Sequence, residues 1–221
     1  MSSSEYFQDA QRGKGRPRSF DRDKALLRAL DVFWRRGYEP ASITELCKAM
    51  GINAPSLYAA FGNKAKLFLE AVLFYEKTYW EAPAHKFMAE PDLYQGIDDF
   101  FREAARILLS PDSPCGCMVV LAAINISDDA EEVIETIQEL RLATKRMFAK
   151  RFEQGILDGQ LPRDTNVAAM AGAFNTMLEG LSIQARDGLS PSELESIAAH
   201  AMRMLPERDT PHPNDKVIST R

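Results

Sequence analysis

From Asp21 onward apolar residues return at intervals of three and four, and alternation never persists for five residues. The chain therefore predicts helices and no sheet. A first helix starts near Asp21, gathers Leu26, Ala29, Leu30 and Phe33 on one face, and stops at Gly37. Ser42-Ile-Thr-Glu45 reads as a capping box for a second helix, with Ile43, Leu46, Cys47 and Met50 inside and Gly51 at its end. Asn53 then caps a short third helix, Ala54 to Ala60, with Pro55 in its first turn and Leu57, Tyr58 and Phe61 turned to the core. Asn63 caps a longer fourth helix, from Lys64 to about Ala82, which Pro83 ends.

Beyond Pro83 helices are predicted near 92–110, 115–127, 129–157, 165–187 and 191–205, punctuated by Pro111, Pro114, Gly159, Pro162, Gly188 and Pro191. The expectation is an all-α protein in four parts: a flexible basic arm over 1–19, a three-helix head over 20–66, a helical domain over 67–205 joined to it by a long helix, and a disordered tail over 206–221.

Charge adds a polarity to this outline. The net charge is -5, yet Arg12 to Lys66 holds 12 Lys+Arg against 5 Asp+Glu, leaving 15 against 27 for the rest. A basic end on an acidic body points to a polyanion at one end and a different task at the other. No secretory leader pattern and no run of 18 apolar residues is present, so a cytoplasmic location without membrane contact is expected. Three cysteines make no disulfide framework, and His85, His200 and His212 show no ligand spacing, so neither metal nor cofactor is expected.

The second helix, the Gly51 turn and the third helix read as a helix-turn-helix. In that motif the front of the second helix of the pair meets base edges, and the small residues there admit close approach. Lys64, at the start of the next helix, is placed against a phosphate. Lys14, Arg16 and Arg18 alternate along the arm like residues that follow such a head into the adjacent minor groove.

Residues 29–72, ALDVFWRRGYEPASITELCKAMGINAPSLYAAFGNKAKLFLEAV, resemble the DNA-binding domain of the TetR family of transcriptional regulators. The resemblance rests on FWRRGY, SITEL, MGI, SLYAAF and NK. It implies a homodimer, usually repressing, whose C-terminal helices bind a small effector that releases it from a palindromic operator. It also implies operator contacts by Thr44, Asn53, Ala54, Pro55, Ser56, Tyr58 and Lys64. Ala54 and Pro55 depart from the basic residue and glycine common there, which turns the expected contact toward thymine methyls.

For the effector, Asn125 and Asn175 interrupt apolar faces, and Trp80, Met118, Phe148 and Phe174 are the large apolar candidates to line a pocket. Cys115 and Cys117 sit where a helix beginning at 115 would favour a thiolate, a possible redox or electrophile sensor; the alternative is packing as small hydrophobes. Ala168, Gly172, Thr176, Gly180 and Gln184 form a stripe of mostly small residues suited to a close partner helix, and Ile197 and Ala201 belong to a second apolar face. Together these predict a four-helix interface between two copies. No nucleophile-base set or phosphate loop supports an enzyme. An architectural DNA-binding protein without effector is the alternative, disfavoured by the acidic body.

Overall fold

The computed structural model describes residues 20–127 and 130–207. The arm residues Lys14, Arg16 and Arg18 and nearly all of the predicted tail lie outside the described residues. Every regular element described is helical: α1 Arg22–Arg36, α2 Ile43–Met50, α3 Ala54–Phe61, α4 Lys64–Tyr75, α5 Glu81–Ala89, α6 Leu93–Leu108, α7 Met118–Leu121, α8 Glu131–Leu157, α9 Val167–Arg186 and α10 Pro191–Ala201.

The helix starts follow cap chemistry. Asp21, Asn53, Asn63 and Asn166 each accept a backbone N–H of the first turn, and Gly37 and Gly51 close α1 and α2 at φ 86° and 70°. Ser42 accepts from the Glu45 N–H at 3.1 Å, but the Glu45 carboxylate meets Arg36 at 3.3 Å instead of closing the predicted box. A complete box forms at Ser190 and Glu193. Tyr58 is 48% exposed, a correction to its inward placement: Leu57 and Phe61, with Ala60 beside them, fill the core side of α3.

Pro83 does not end the fourth helix. A π turn over Glu76–Trp80 precedes it, and the Glu81 N–H bonds back to the Glu76 carbonyl. The wider turn relieves the clash a proline ring makes with the carbonyl four residues earlier, so α5 runs on through Pro83 to Ala89.

The predicted helix over 115–127 shrinks to one turn, Met118–Leu121. Gly116 sits at φ 84°, and a Cβ there would lie 2.4 Å from Leu121 Cδ1 and 2.7 Å from the Ser182 carbonyl oxygen. The segment is threaded too tightly between neighbours to coil. Its polar backbone groups are met from outside: Gly116 N–H donates to Leu108 O, and Cys117 N–H donates to Ser182 Oγ at 2.8 Å.

Two cores result. One joins α1 to α4 with α7 and the start of α8; the other joins α5, α6, α8, α9 and α10 around Phe148, whose ring packs with Phe87, Phe100, Phe101, Phe152 and Phe174. Trp80 and Cys117 pack against both cores. Ala201, expected on an outer face, is fully buried in the second core with Leu194 and Leu205, because α10 lies against α6.

Candidate operator-binding surface and effector cavity

The head holds α3 by its back. Arg22 forks onto the Glu70 carboxylate at 2.5 and 2.7 Å, reaches the Ala60 carbonyl at 3.4 Å, and lies 4.4 Å from the Phe61 ring centroid. One guanidinium thus ties α1 to the end of α3 and to α4. The front of α3 is left to solvent: Thr44, Asn53, Pro55 and Tyr58 are exposed, Ala54 and Ser56 half-exposed. Asn53 Oδ1 accepts the Ser56 N–H at 2.9 Å, which fixes the amide and leaves its NH2 donors for a base edge. Lys48 and Lys66 are exposed on the same head, beyond the residues singled out in the sequence.

Lys64 is placed differently from a free phosphate hook. Its Nζ donates to the Glu39 carbonyl at 3.1 Å and lies 4.4 Å from the Tyr38 ring centroid. Burial lowers the ammonium below its ordinary value, opposed by the Glu39 carboxylate. That carboxylate in turn accepts from the Ser127 N–H and hydroxyl. Lys64 therefore ties α4 to the loop after α1, whose Glu39 carboxylate in turn holds the segment after α7.

Between the two cores lies a cavity of about 540 Å³, walled by the π turn, α6, the segment before α7, α8 and α9. Trp80 and Asn175 line it, as expected. Phe148 and Phe174 do not: both are fully buried in the aromatic cluster. Met118 is fully buried in the core of the head, and Asn125 is exposed in a bend after α7, because the predicted helix stops at Leu121.

The cysteines separate. Cys115 is exposed and precedes α7 by three residues, outside any helical turn. Cys117 lines the cavity beside Tyr75 and Glu76, and burial pushes its thiol up to about 11, against the thiolate expected from a helix start. A one-turn helix has little dipole to offer.

Sequence reasoning passed over the cavity's charged residues. Glu76 is pushed up to about 7 by burial. Arg141 donates through Nε and Nη2 to the carbonyls of Val119, Val120 and Ala123 at 2.9 to 3.3 Å. Glu179 accepts from Asn175 Nδ2 at 3.0 Å. Each sits at a helical position whose pattern reads as solvent-facing; the π turn at Glu76, which shifts the faces, has no sequence signal of its own.

Comparison with known proteins agrees with the geometry. Residues 26–71 match the family described as bacterial regulatory proteins, tetR family, and residues 95–201 match the tetracyclin repressor-like C-terminal domain. The chain is 33% identical to the HTH-type transcriptional repressor ComR of Escherichia coli (strain K12) over 202 residues, 90% of this chain and 96% of that one. It is 29% identical over 190 residues to the repressor BdcR of the same organism, covering 85% and 90%. A cysteine mutant of the TetR family regulator CifR, complexed with 26-base-pair double-strand operator DNA, superposes with a TM-score of 0.83 at 41% identity, over 87% of this chain and all of that one. With a helix-turn-helix whose reading face is open and an all-helical body behind it, the chain belongs to the TetR family of transcriptional regulators, a family of DNA-binding regulators and not of enzymes.

Proposed function

We propose that the chain acts in the cytoplasm as a homodimeric repressor that grips a near-palindromic operator and lets go when a small molecule enters the cavity at Trp80. One observation carries this reading: the cavity wall and the anchor of the DNA-binding head are the same segment. Cys117, Val119 and Val120 line the cavity, while the carbonyls of Gly116 and Ala122 accept the Trp34 indole N–H and the Tyr38 N–H at 2.8 and 2.7 Å. A ligand that displaces this wall displaces the end of α1, and with it the setting of α3. The named repressors ComR and BdcR, and the operator complex of CifR, support repression as the default action.

On DNA, Asn53, Ser56 and Tyr58 read bases, Ala54 and Pro55 touch thymine methyls, Thr44 meets the backbone, and Lys64 reaches a phosphate with the donors its bond to the Glu39 carbonyl leaves over, with Lys14, Arg16 and Arg18 in the flanking minor groove. The test is selection of bound sites from a random duplex pool by the full chain, followed by footprinting. The expected product is a two-fold site with half-sites about 34 to 36 Å apart or a multiple of that turn. A single unrepeated half-site, or binding without sequence preference, overturns the proposal.

A further inference from the structure

We infer that the cavity takes a lipophilic cation, an amine or ammonium on an apolar skeleton, with the Glu76 carboxylate as its counter-ion; this rests on reading the cavity as the effector site. The hydrogen-bond inventory of the walls carries the inference. Most of its donors are engaged within the protein, the Arg141 Nη1 group and the solvent-exposed Lys77 ammonium apart. The Trp80 indole N–H goes to Tyr75 Oη at 2.8 Å, the Arg141 Nε and Nη2 to three backbone carbonyls, the Asn175 amide to Glu179, and the Thr144 hydroxyl to Leu140 O at 3.4 Å. An anion entering would have chiefly Arg141 Nη1 and Lys77 to meet it, against the carboxyls of Glu76, Glu81 and Glu179.

The acceptors are open. Among the described residues no hydrogen bond or ion pair reaches the Glu76 carboxyl, and burial alone accounts for its rise to about 7. The groups facing it are Lys77 and Glu81 on its own stretch of chain, the Tyr75 phenol, the Cys117 thiol, Arg141 from α8 and Glu179 from α9. Lys77 is solvent-exposed, and Arg141 is held at the carbonyl end of α7, so neither cation neutralises the carboxyl. Glu179 also lines the cavity, and among the described residues its partner is the Asn175 amide. Trp80 and Phe100 supply aromatic surface, and Val120, Leu140 and Leu178 the apolar remainder. Two carboxylates with no ion-pair partner among the described residues, set beside aromatic rings, recognise a desolvated positive charge.

A bound cation lowers the Glu76 pKa and drives off its proton, so binding and ionisation are linked. For a group near 7, the ionised fraction rises about tenfold from pH 6 to pH 8. Affinity for a cation rises by the same factor; a neutral or anionic ligand does the reverse or nothing.

The experiment uses three ligands on one skeleton, 4-phenylbutylamine, 4-phenylbutanol and 4-phenylbutyrate, titrated calorimetrically into the full-length chain. The amine is expected to bind at least tenfold tighter than the other two, to gain about tenfold between pH 6 and 8, and to release about half a proton at pH 7 in buffers of different ionisation enthalpy. Glu76→Gln is expected to erase both the preference and the pH dependence while leaving operator binding intact. A tighter alcohol or carboxylate, no amine binding at millimolar concentration, or a preference that survives Glu76→Gln overturns the inference. Ala143→Trp, which narrows the cavity from an exposed wall position, separates the two readings. If it blocks a ligand that is not the amine, the effector cavity stands and the cation falls. If the amine binds the tryptophan variant unchanged, the cavity reading falls with it.

Discussion

The indole Nε1 of Trp34 donates to the Gly116 carbonyl at 2.8 Å across 82 residues of sequence, and both residues are buried. Arg186 extends the clasp, reaching the Cys115 carbonyl at 2.9 Å and the Trp34 carbonyl at 3.0 Å. Three distant pieces of chain, the ends of α1 and α9 and the segment before α7, meet in one set of hydrogen bonds. Trp34→Phe keeps an aromatic ring but removes the donor and one of the two fused indole rings, leaving a buried carbonyl unsatisfied and a small void, so it is expected to lower stability by about 2 to 4 kcal/mol. Urea unfolding with an unchanged slope and a lower midpoint is the signature; an unmoved midpoint would mean that the bond contributes nothing.

Gly116 offers a harsher test of the same clasp. Its φ of 84° disfavours any side chain, and the added methyl would meet Leu121 and the Ser182 backbone inside van der Waals distance. Gly116→Ala is expected to lose about 1 to 2 kcal/mol to the left-handed backbone and about 1 to 3 more to overpacking. Gly159 is the control, since it has a similar φ of 71° and open space: Gly159→Ala should lose only the backbone part. Equal losses at the two sites would remove the crowding argument.

The head was legible because its signals are local. Asp21, Asn53 and Asn63 cap helices within three residues of themselves, so the sequence carries cause and effect side by side. The cavity was not, because its determinants are tertiary. MVVLAAI is a good helical run, and only the contacts of Gly116 with Ser182 and Leu121 cut it to one turn. Size alone makes Phe148 and Phe174 candidate pocket walls, but four other phenylalanine rings, Phe87, Phe100, Phe101 and Phe152, bury them. Glu76 and Arg141 carry no local signal: a π turn and the α7 carbonyls set their places in the fold.

Glu76 should leave a pH signature on the empty protein. Its folded pKa lies near 7 against an ordinary 4.5, so the folded state holds a proton that the unfolded state has released between those values. Stability is therefore fullest below pH 4.5, falls as pH rises through 7, and is flat above, an effect of about 3 kcal/mol. Glu76→Gln should remove this component, so the variant's advantage opens between about pH 4.5 and 7. Parallel stability curves for the two proteins would show that the carboxyl is solvated in the folded state.

The two loop cysteines are expected to differ in alkylation. Cys115 is exposed, whereas the Cys117 thiol at about 11 keeps only about a thousandth of its population as thiolate at pH 8. Iodoacetamide on the native chain, read by peptide mass, should label Cys115 within minutes and Cys117 only after unfolding. Fast labelling of Cys117 would restore the thiol-sensor reading for this position.

Ala168, Thr176 and Gln184 are exposed, and Gly172 and Gly180 half-exposed, so the stripe along α9 remains uncovered by its own chain. Of the neighbouring face, Leu194, Ala201 and Leu205 are buried internally; Ile197 remains beside Gly180 in a shallow groove with Thr176 and Met177. A Cβ at Gly180 would meet nothing within 4 Å, and one at Gly172 only the flexible end of Lys145 at 3.9 Å. A larger side chain at either site therefore meets no obstacle within one subunit, and replacing helical glycine gains up to about 1 kcal/mol of propensity. If a second α9 packs on this stripe, the same side chains collide with it at about 1 to 3 kcal/mol per site, counted on both subunits. The double variant Gly172→Leu with Gly180→Leu is thus expected to be a monomer at least as stable as one wild-type subunit, with operator affinity lost because single half-sites bind weakly. Sedimentation and thermal unfolding of the same sample decide it. A folded dimer that still binds operator would place the interface elsewhere, and an unfolded chain would mean that the stripe is crowded by its own subunit after all.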